Sequence, residues 1–312
     1  MKKISIMVPC YNEEENVIPM SEALVRELSG LPEYDYEILF IDNCSVDKTR
    51  EKLRLICANN PKIRAIFNSK NFGQFNSPYY GLCQTTGDCT ISICCDFQDP
   101  VEMIPKLIKE WENGYKIVCA IKTSSNESSL MYFLRSIYYK MIRKLSRVEQ
   151  IEHFTGFGLY DKSFIKVLRD LGDPTPFIRG IVAELGSKIK TIEYRQAQRR
   201  AGKTSNNFFS LYDAAMLSFT SYTKMGVRAA SFLGMLMVGG GVIATIICLV
   251  LKIIDLECFF TTAAAAIILT TVIVGGLILF FFGFIGEYVM SINARIMNRP
   301  LVIEEERINF DK

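Results

Sequence analysis

The chain has 312 residues, 49% of them hydrophobic, and 36 Lys and Arg against 33 Asp and Glu leave a net charge of +3. That length holds a domain of about 200 residues and something more; so small a positive excess, with no basic stripe interleaved with aromatics, gives no footing for nucleic acid. Ten cysteines accompany one histidine, His153, and no Cys-x-x-Cys occurs, which excludes the usual zinc spacings and points to small buried thiols in a reducing cytosol.

The opening MKKISIMVPCYNEEEN has too short an apolar run for a secretory signal and turns acidic at once. From residue 1 to about 120 strand-like runs (ISIMVP, YEILFID, IRAIFN, CTISICC, KIVCAI) alternate with helical patterns over Glu14 to Ser29, Asp47 to Asn59, Gln74 to Thr86 and Met103 to Glu112. Short apolar strands separated by helices imply βαβ units in a mainly parallel sheet, an α/β class whose ligands sit at the C-terminal strand ends. From 124 to 190 the pattern is more helical, with Leu130 to Leu145 amphipathic and GFGLYD a turn and short strand. SKIKTIEYRQAQRRAGKTS is an extended segment entering a basic loop. Phe208 to Met225 reads either as an interfacial helix or as an ordinary core-facing one.

Ala229 to Leu251 and Phe259 to Gly286 carry no charge, and each reaches the ~20 apolar residues a spanning helix needs. Lys252, Asp255 and Glu257 connect them; Lys224, Arg228, Arg295 and Arg299 flank the other side. The positive-inside rule then places both termini in the cytoplasm. The alternative is a buried hairpin. The expected organisation is a cytosolic catalytic domain over 1–205, an interfacial helix over 206–228, a two-helix membrane hairpin over 229–290 (spans 229–251 and 259–286) and a cytosolic tail over 291–312. Gly239-Gly240-Gly241 and Gly275-Gly276 permit close helix packing, which admits a homo-oligomer.

Polar clusters follow the strands. In VPCYNEEENV, Asn12 with Glu15 fits a capping box, a sufficient structural reason for both. In FIDNCSVDKTR, Asp42 ends a strand and either accepts from a ribose or base or is a turn aspartate, while Ser45 or Asp47 caps the next helix. In DFQDP, Asp96 and Gln98 alternate on one side of an extended stretch and can face one hard cation, with Asp99 on the other side to hold a loop or a sugar. The alternative there is a polar strand end with a proline stop. Arg195, Arg199, Arg200 and Lys203 surround a glycine, as forks for phosphate oxygens or as a solvated basic loop.

VPCYNEEENV, the aspartate after the second strand, NFGQ, DFQDP, RRAGKTS before LYD, and two C-terminal spans together resemble the polyisoprenyl-phosphate glycosyltransferases, the membrane-anchored branch of family 2 that includes dolichyl-phosphate mannose synthases and bacterial undecaprenyl-phosphate glucosyltransferases. The resemblance covers nearly the whole chain and implies a GT-A fold with a Rossmann-like sheet. It also implies a nucleotide-diphosphate sugar donor, UDP-glucose by preference, a divalent Mg²⁺ or Mn²⁺, and a polyprenyl phosphate acceptor reached from the bilayer. By position it assigns Pro9, Tyr11, Asn12, Glu13, Asp42, Asn71 and Gly73 to the nucleotide and Asp96 and Gln98 to the metal. Lys122, Arg135, Arg199, Arg200 and Lys203 then serve the phosphates, and Asp96, Asp99, Arg199, Arg200 and Lys203 form the catalytic set. Three departures stand out. Cys94-Cys95-Asp96 replaces Asp-x-Asp, Asn43 replaces a second Asp, and Thr155-Gly156-Phe157-Gly158-Leu159 replaces Gly-Asp-Phe-Arg-Leu. Other readings are a different nucleotide sugar or lipid acceptor, or a nucleotide-binding scaffold paralogue with weak turnover.

Overall fold

The computed structural model describes residues 1–123, 151–201, 260–297 and 299–310, with 216–217, 236, 239–240 and 243. Leu130 to Leu145, Arg135, Lys203, nearly all of the 206–228 segment and most of the 229–251 span lie outside the described residues. Strands and helices alternate as β1 (Lys2–Cys10), α1 (Val17–Ser29), β2 (Tyr34–Asp42), α2 (Thr49–Asn59), β3 (Ile63–Asn68), α3 (Gly73–Gln84), β4 (Cys89–Ser92), α4 (Ile104–Glu112) and β5 (Ile117–Lys122). Then come β6 (Phe154–Asp161), α5 (Lys162–Leu171), α6 (Ile178–Leu185), β7 (Ile189–Tyr194), α7 (Phe260–Met297) and β8 (Glu304–Ile308).

Among the described residues eight strands form one sheet in the order β7-β5-β6-β4-β1-β2-β3-β8. The pairs β1–β2, β1–β4, β2–β3 and β5–β7 are parallel, whereas β6 runs antiparallel to both its neighbours and β8 antiparallel to β3. The expected Rossmann-like, mostly parallel sheet is present. β1 and β2 are continuous apolar runs because helices cover both faces. Ile4, Ile6 and Val8 pack with Leu24, Leu53 and Leu107 from α1, α2 and α4. Met7 and Leu39 pack on the opposite face with Tyr79, Phe164 and Val182 from α3, α5 and α6. The chain turns back between β1 and β4, the topological switch point where doubly wound sheets open a crevice.

Four expectations need correction. The helix predicted from Glu14 begins at Val17, since Asn12 adopts φ +55° and turns its side chain away from the helix end. The helix predicted from Asp47 begins at Thr49, although Asp47 Oδ1 does accept from the Thr49 N–H at 3.0 Å. β4 stops at Ser92; the next residues form a turn with Phe97 at φ +61°, so Asp96 and Gln98 do not alternate on an extended strand. Finally, the C-terminal tail is no loose end. α7 runs unbroken for 38 residues past the predicted span, and five residues of the tail return as β8.

Candidate functional site

Two loops at the switch point are knitted together through backbone amides. The Asn12 N–H donates to Ser45 Oγ at 2.8 Å, and the Val46 N–H donates to Asn12 Oδ1 at 2.9 Å. The Glu13 N–H donates to Thr49 Oγ1 at 2.8 Å and the Glu14 N–H to Asp47 Oδ2 at 3.1 Å. Asn12 therefore clasps the second loop and does not cap the first helix. Tyr11 is exposed on the rim, and Pro9 lies on β1 opposite Ile41. Asp42 is fully enclosed, its carboxylate accepting from the Ser45 N–H at 3.2 Å and lying 3.1 Å from Arg50 Nε. Burial pushes its pKa above the ordinary carboxylate value, against the pull of Ser45 and Arg50. In this conformation its carboxylate is engaged within the protein by Ser45 and Arg50.

The third loop is organised by Asn43, which position-by-position reasoning did not assign to the site. Its Nδ2 donates to Asn71 Oδ1 at 2.9 Å and to the Gly73 carbonyl at 3.2 Å. Its Oδ1 accepts from the Phe72 N–H at 2.9 Å and from Asn68 Nδ2 at 3.1 Å. An amide donates and accepts at once; a carboxylate here would confront two acceptors. The departure from Asp at this position is therefore built into the 71–73 loop, where Gly73 takes φ +89°.

Opposite lies the turn after β4. Asp96 is 5% exposed; its Oδ1 accepts from the Gln98 N–H at 3.1 Å and its Oδ2 lies 2.9 Å from an Arg199 nitrogen. Another nitrogen of Arg199 lies 3.8 Å from Glu13 Oε1, so one guanidinium spans carboxylates from the first and fourth loops. Burial raises the Glu13 pKa, while Asn16 and Arg199 draw it down. The segment after β7 is laid over this turn by main-chain bonds, Ala197 N–H to the Gln98 carbonyl at 3.3 Å and Arg200 N–H to the Asp96 carbonyl at 3.2 Å. The Arg200 guanidinium sits 5.3 Å from the Phe97 ring centre. Asp99 is 3% exposed and accepts from the Cys94 N–H at 3.1 Å and the Tyr194 hydroxyl at 2.8 Å. Both bonds tie it to the turn and to the end of β7. Lys122 ends β5, near enough for its charge to act on Cys94.

Among the described residues no three His, Cys, Asp or Glu side chains cluster, and both Asp96 oxygens are engaged, one by the Gln98 N–H and one by Arg199. One buried carboxylate is what the protein would bring to a divalent ion held chiefly by substrate phosphates. Cys94 is exposed, and its N–H donates to Asp99 Oδ2 at 3.1 Å. The eight described cysteines are free.

Gly156 and Gly158, in place of an acid and an arginine, are required by their backbone. Gly156 has φ +105°, and its carbonyl accepts from the Tyr160 hydroxyl at 2.7 Å. A Cβ on Gly158 would stand 2.4 Å from the Val118 carbonyl oxygen.

Residues 5–169 match the model of the family described as Glycosyl transferase family 2. The prophage bactoprenol glucosyl transferase homolog of Escherichia coli (strain K12) is 32% identical over 75% of this chain and 76% of its own length. The bactoprenol glucosyl transferase of Shigella phage SfX is equally similar, at 32% over the same shares. An uncharacterized glycosyltransferase of Bacillus subtilis (strain 168), YkcC, is 29% identical over 98% of this chain and 94% of its own. Among solved structures, glucosyl-3-phosphoglycerate synthase from Mycobacterium tuberculosis is similar at a TM-score of 0.46 and 16% identity, over 70% of this chain and 76% of that one. With the family model spanning more than half of the chain and the two bactoprenol glucosyl transferase relatives above 30% identity, the protein belongs to the family 2 glycosyltransferases.

Proposed function

We propose that this glycosyltransferase moves one hexose, glucose from UDP-glucose, to undecaprenyl phosphate at the cytoplasmic membrane face, inverting the anomeric centre. The observation that carries the reading is the meeting of Glu13, Asp96 and Arg199 at the switch point, beside a cationic segment laid over it, in a chain whose relatives are named for bactoprenol. Asp96 and Gln98 would hold the Mg²⁺ or Mn²⁺, which when bound neutralises the leaving diphosphate.

The remaining work falls to the chain's own groups. Asn12, Asn71 and Gly73 shape the nucleotide pocket through the loops they knit. Arg199 and Arg200, held by the 197–200 main-chain bonds, present guanidinium forks to phosphate oxygens, with Lys122 and Lys203 as further cations. No general base is needed, since a phosphate monoester with a second pKa near ~6 is largely dianionic at neutral pH. A glycine at 156 is then compatible with turnover, and fixing both phosphates in line supplies much of the rate.

The sheet supports the membrane topology. β8 shares a sheet with β1–β7, so the catalytic domain and residues 304–308 occupy one side of any bilayer. The path between them crosses an even number of times. Within α7, Val274–Met297 is long and apolar enough to span. If it spans, a second crossing must precede it, and Ala229 to Leu251 has the length and the absence of charge.

The test is to incubate membranes carrying the protein with undecaprenyl phosphate and radiolabelled nucleotide sugars, in Mg²⁺, Mn²⁺ or EDTA, beside Asp96→Asn. Label should enter the organic phase from UDP-glucose and vanish with EDTA and in the variant. Label from another sugar alone replaces the donor; nucleotide binding with no labelled lipid under any metal replaces the enzyme by a scaffold.

A further inference from the structure

β8 does more than close the sheet. Its Glu305 carboxylate lies 2.7 Å from one Arg50 guanidinium nitrogen, which also donates to the Asn68 carbonyl at 3.3 Å. The same guanidinium reaches Asp42 Oδ2 with Nε at 3.1 Å. Asp42 accepts from the Ser45 N–H, and Ser45 Oγ accepts from the Asn12 N–H at 2.8 Å. A continuous polar path thus runs from the C-terminal strand through the first turn of α2 to both loops of the nucleotide pocket.

The strand grips α2 at further points. Arg54 pairs with Glu306 at 2.7 Å. At the other end of the helix Asn309 Nδ2 donates to the Cys57 carbonyl and to the Ile63 carbonyl, each at 2.7 Å. Next to β3, outside the helix, the Ser69 N–H bonds the Ile303 carbonyl at 2.9 Å. These bonds fix the height of α2, whose Thr49 hydroxyl carries the Glu13 N–H. Asp42 is fully buried and cannot reorient without leaving Arg50, so Arg50 sets where its carboxylate sits.

We propose that Glu305 and Arg50 are positioning residues for the nucleotide donor: the strand that follows the membrane helix holds Arg50 against Asp42 and so sets the two loops that receive the nucleotide. This rests on the donor-site reading above. Neither residue touches the reacting atoms.

The experiment uses full-length protein in detergent, with UDP titrated in the presence of Mg²⁺ and sugar transfer measured against donor concentration. Glu305 is about half exposed, so Glu305→Gln keeps the strand and removes one partly solvated ion pair; the expected weakening of UDP binding is about two- to fivefold. Donor KM rises by the same factor, while kcat at saturating donor and the melting temperature stay near wild type, and Glu305→Asp recovers most of the affinity. Arg50→Gln, which strands a buried carboxylate, weakens UDP about tenfold or more, and the double variant is no weaker than Arg50→Gln alone. Equal UDP affinity in wild type and Glu305→Gln overturns the proposal, as does strict additivity in the double variant. Should wild type bind no UDP, the donor-site reading falls and takes this one with it; a wild type that binds UDP with variants that match it condemns the relay alone.

Discussion

Replacing Gly156 by Asp and Gly158 by Arg rewrites the β6 segment to the form many relatives of the resembled branch carry. If the missing acid were a simple loss, the double variant would gain activity. The backbone argues the reverse. At φ +105° an L-residue is strained by roughly 1–3 kcal/mol. At 158 the new Cβ would lie 2.4 Å from the Val118 oxygen, and β5 must retreat from β6 where their pairing is already irregular between Cys119 and Ile121. Overpacking of that kind costs typically about 1–3 kcal/mol. The two positions lie on one strand, so their costs will not add cleanly, but a total of about 2–6 kcal/mol is expected. At roughly 2–4 °C per kcal/mol for a domain of this size, the melting temperature should fall by about 4–24 °C. Thermal melting of the detergent-solubilised chain, read beside glucosyl transfer, tests this. A double variant that melts at or above wild type and transfers faster would refute the reasoning.

Asn43→Asp should also destabilise, although it restores an acid the resembled family commonly has. It forfeits the bonds to Asn71 and Gly73 and faces both oxygens with a buried charge, a cost of about 2–4 kcal/mol. The new carboxyl would have a raised folded pKa, so the deficit should be small near pH 4 and grow as pH rises; melting curves across that range decide it, and a flat deficit contradicts the account. Glu37 accepts from Ser5 Oγ at 2.5 Å and from the Thr86 N–H at 2.6 Å, and lies 2.7 Å from Lys3 Nζ and 3.0 Å from an Arg64 nitrogen. Burial alone would raise its pKa, but Lys3, Ser5 and Thr86 outweigh it and hold the carboxyl below its ordinary 4.5. Its stabilisation is complete above that value and is lost as pH falls through the lower folded pKa, so Glu37→Gln should cost about 3 kcal/mol at pH 7 and blunt acid unfolding below pH 4.5; an unchanged acid limb rules out this origin. Tyr194→Phe removes one donor to buried Asp99 and should cost about 1.5–3 kcal/mol, with a looser 94–99 turn read as reduced transfer; a melting temperature equal to wild type would count against that brace.

What was legible in the sequence was whatever a local pattern records. ISIMVP and YEILFID are unbroken apolar runs because both faces of β1 and β2 are covered, and such runs are hard to mistake. Asp96 stands out in the sequence because a carboxylate and an amide two residues apart can face one hard cation. Its geometry was misread because Phe97 takes φ +61°, and positive φ in a non-glycine residue leaves no trace in residue type. Asn43 was noticed only as a missing acid; that it donates and accepts at once needed the neighbouring Asn68, Asn71 and Gly73 in space. β8, Glu304-Glu305-Glu306-Arg307-Ile308, looks like a solvated tail, since charges suit an edge strand and its partners Arg50 and Arg54 lie some 250 residues away in sequence.

That edge strand ties the end of the long C-terminal helix back to the sheet. A helix of 38 residues is about 57 Å long, against a hydrocarbon core of ~30 Å, so on the proposed topology α7 would project well beyond the bilayer. Arg295, near the C-terminal end of α7, lies 3.6 Å from Asp173. Asp173 in turn accepts from the Thr175 N–H at 3.0 Å, two residues before Phe177, whose ring meets Phe75 edge-on at 5.8 Å just past Gly73. The C-terminal segment therefore meets the N-terminal domain at the last turns of α7 and again through β8. On the proposed topology the lipid phosphate waits at a fixed depth. If α7 spans the bilayer, these two attachments would restrain the catalytic domain from rising or tilting away from it, the positioning that the proposed transfer to a lipid phosphate would need.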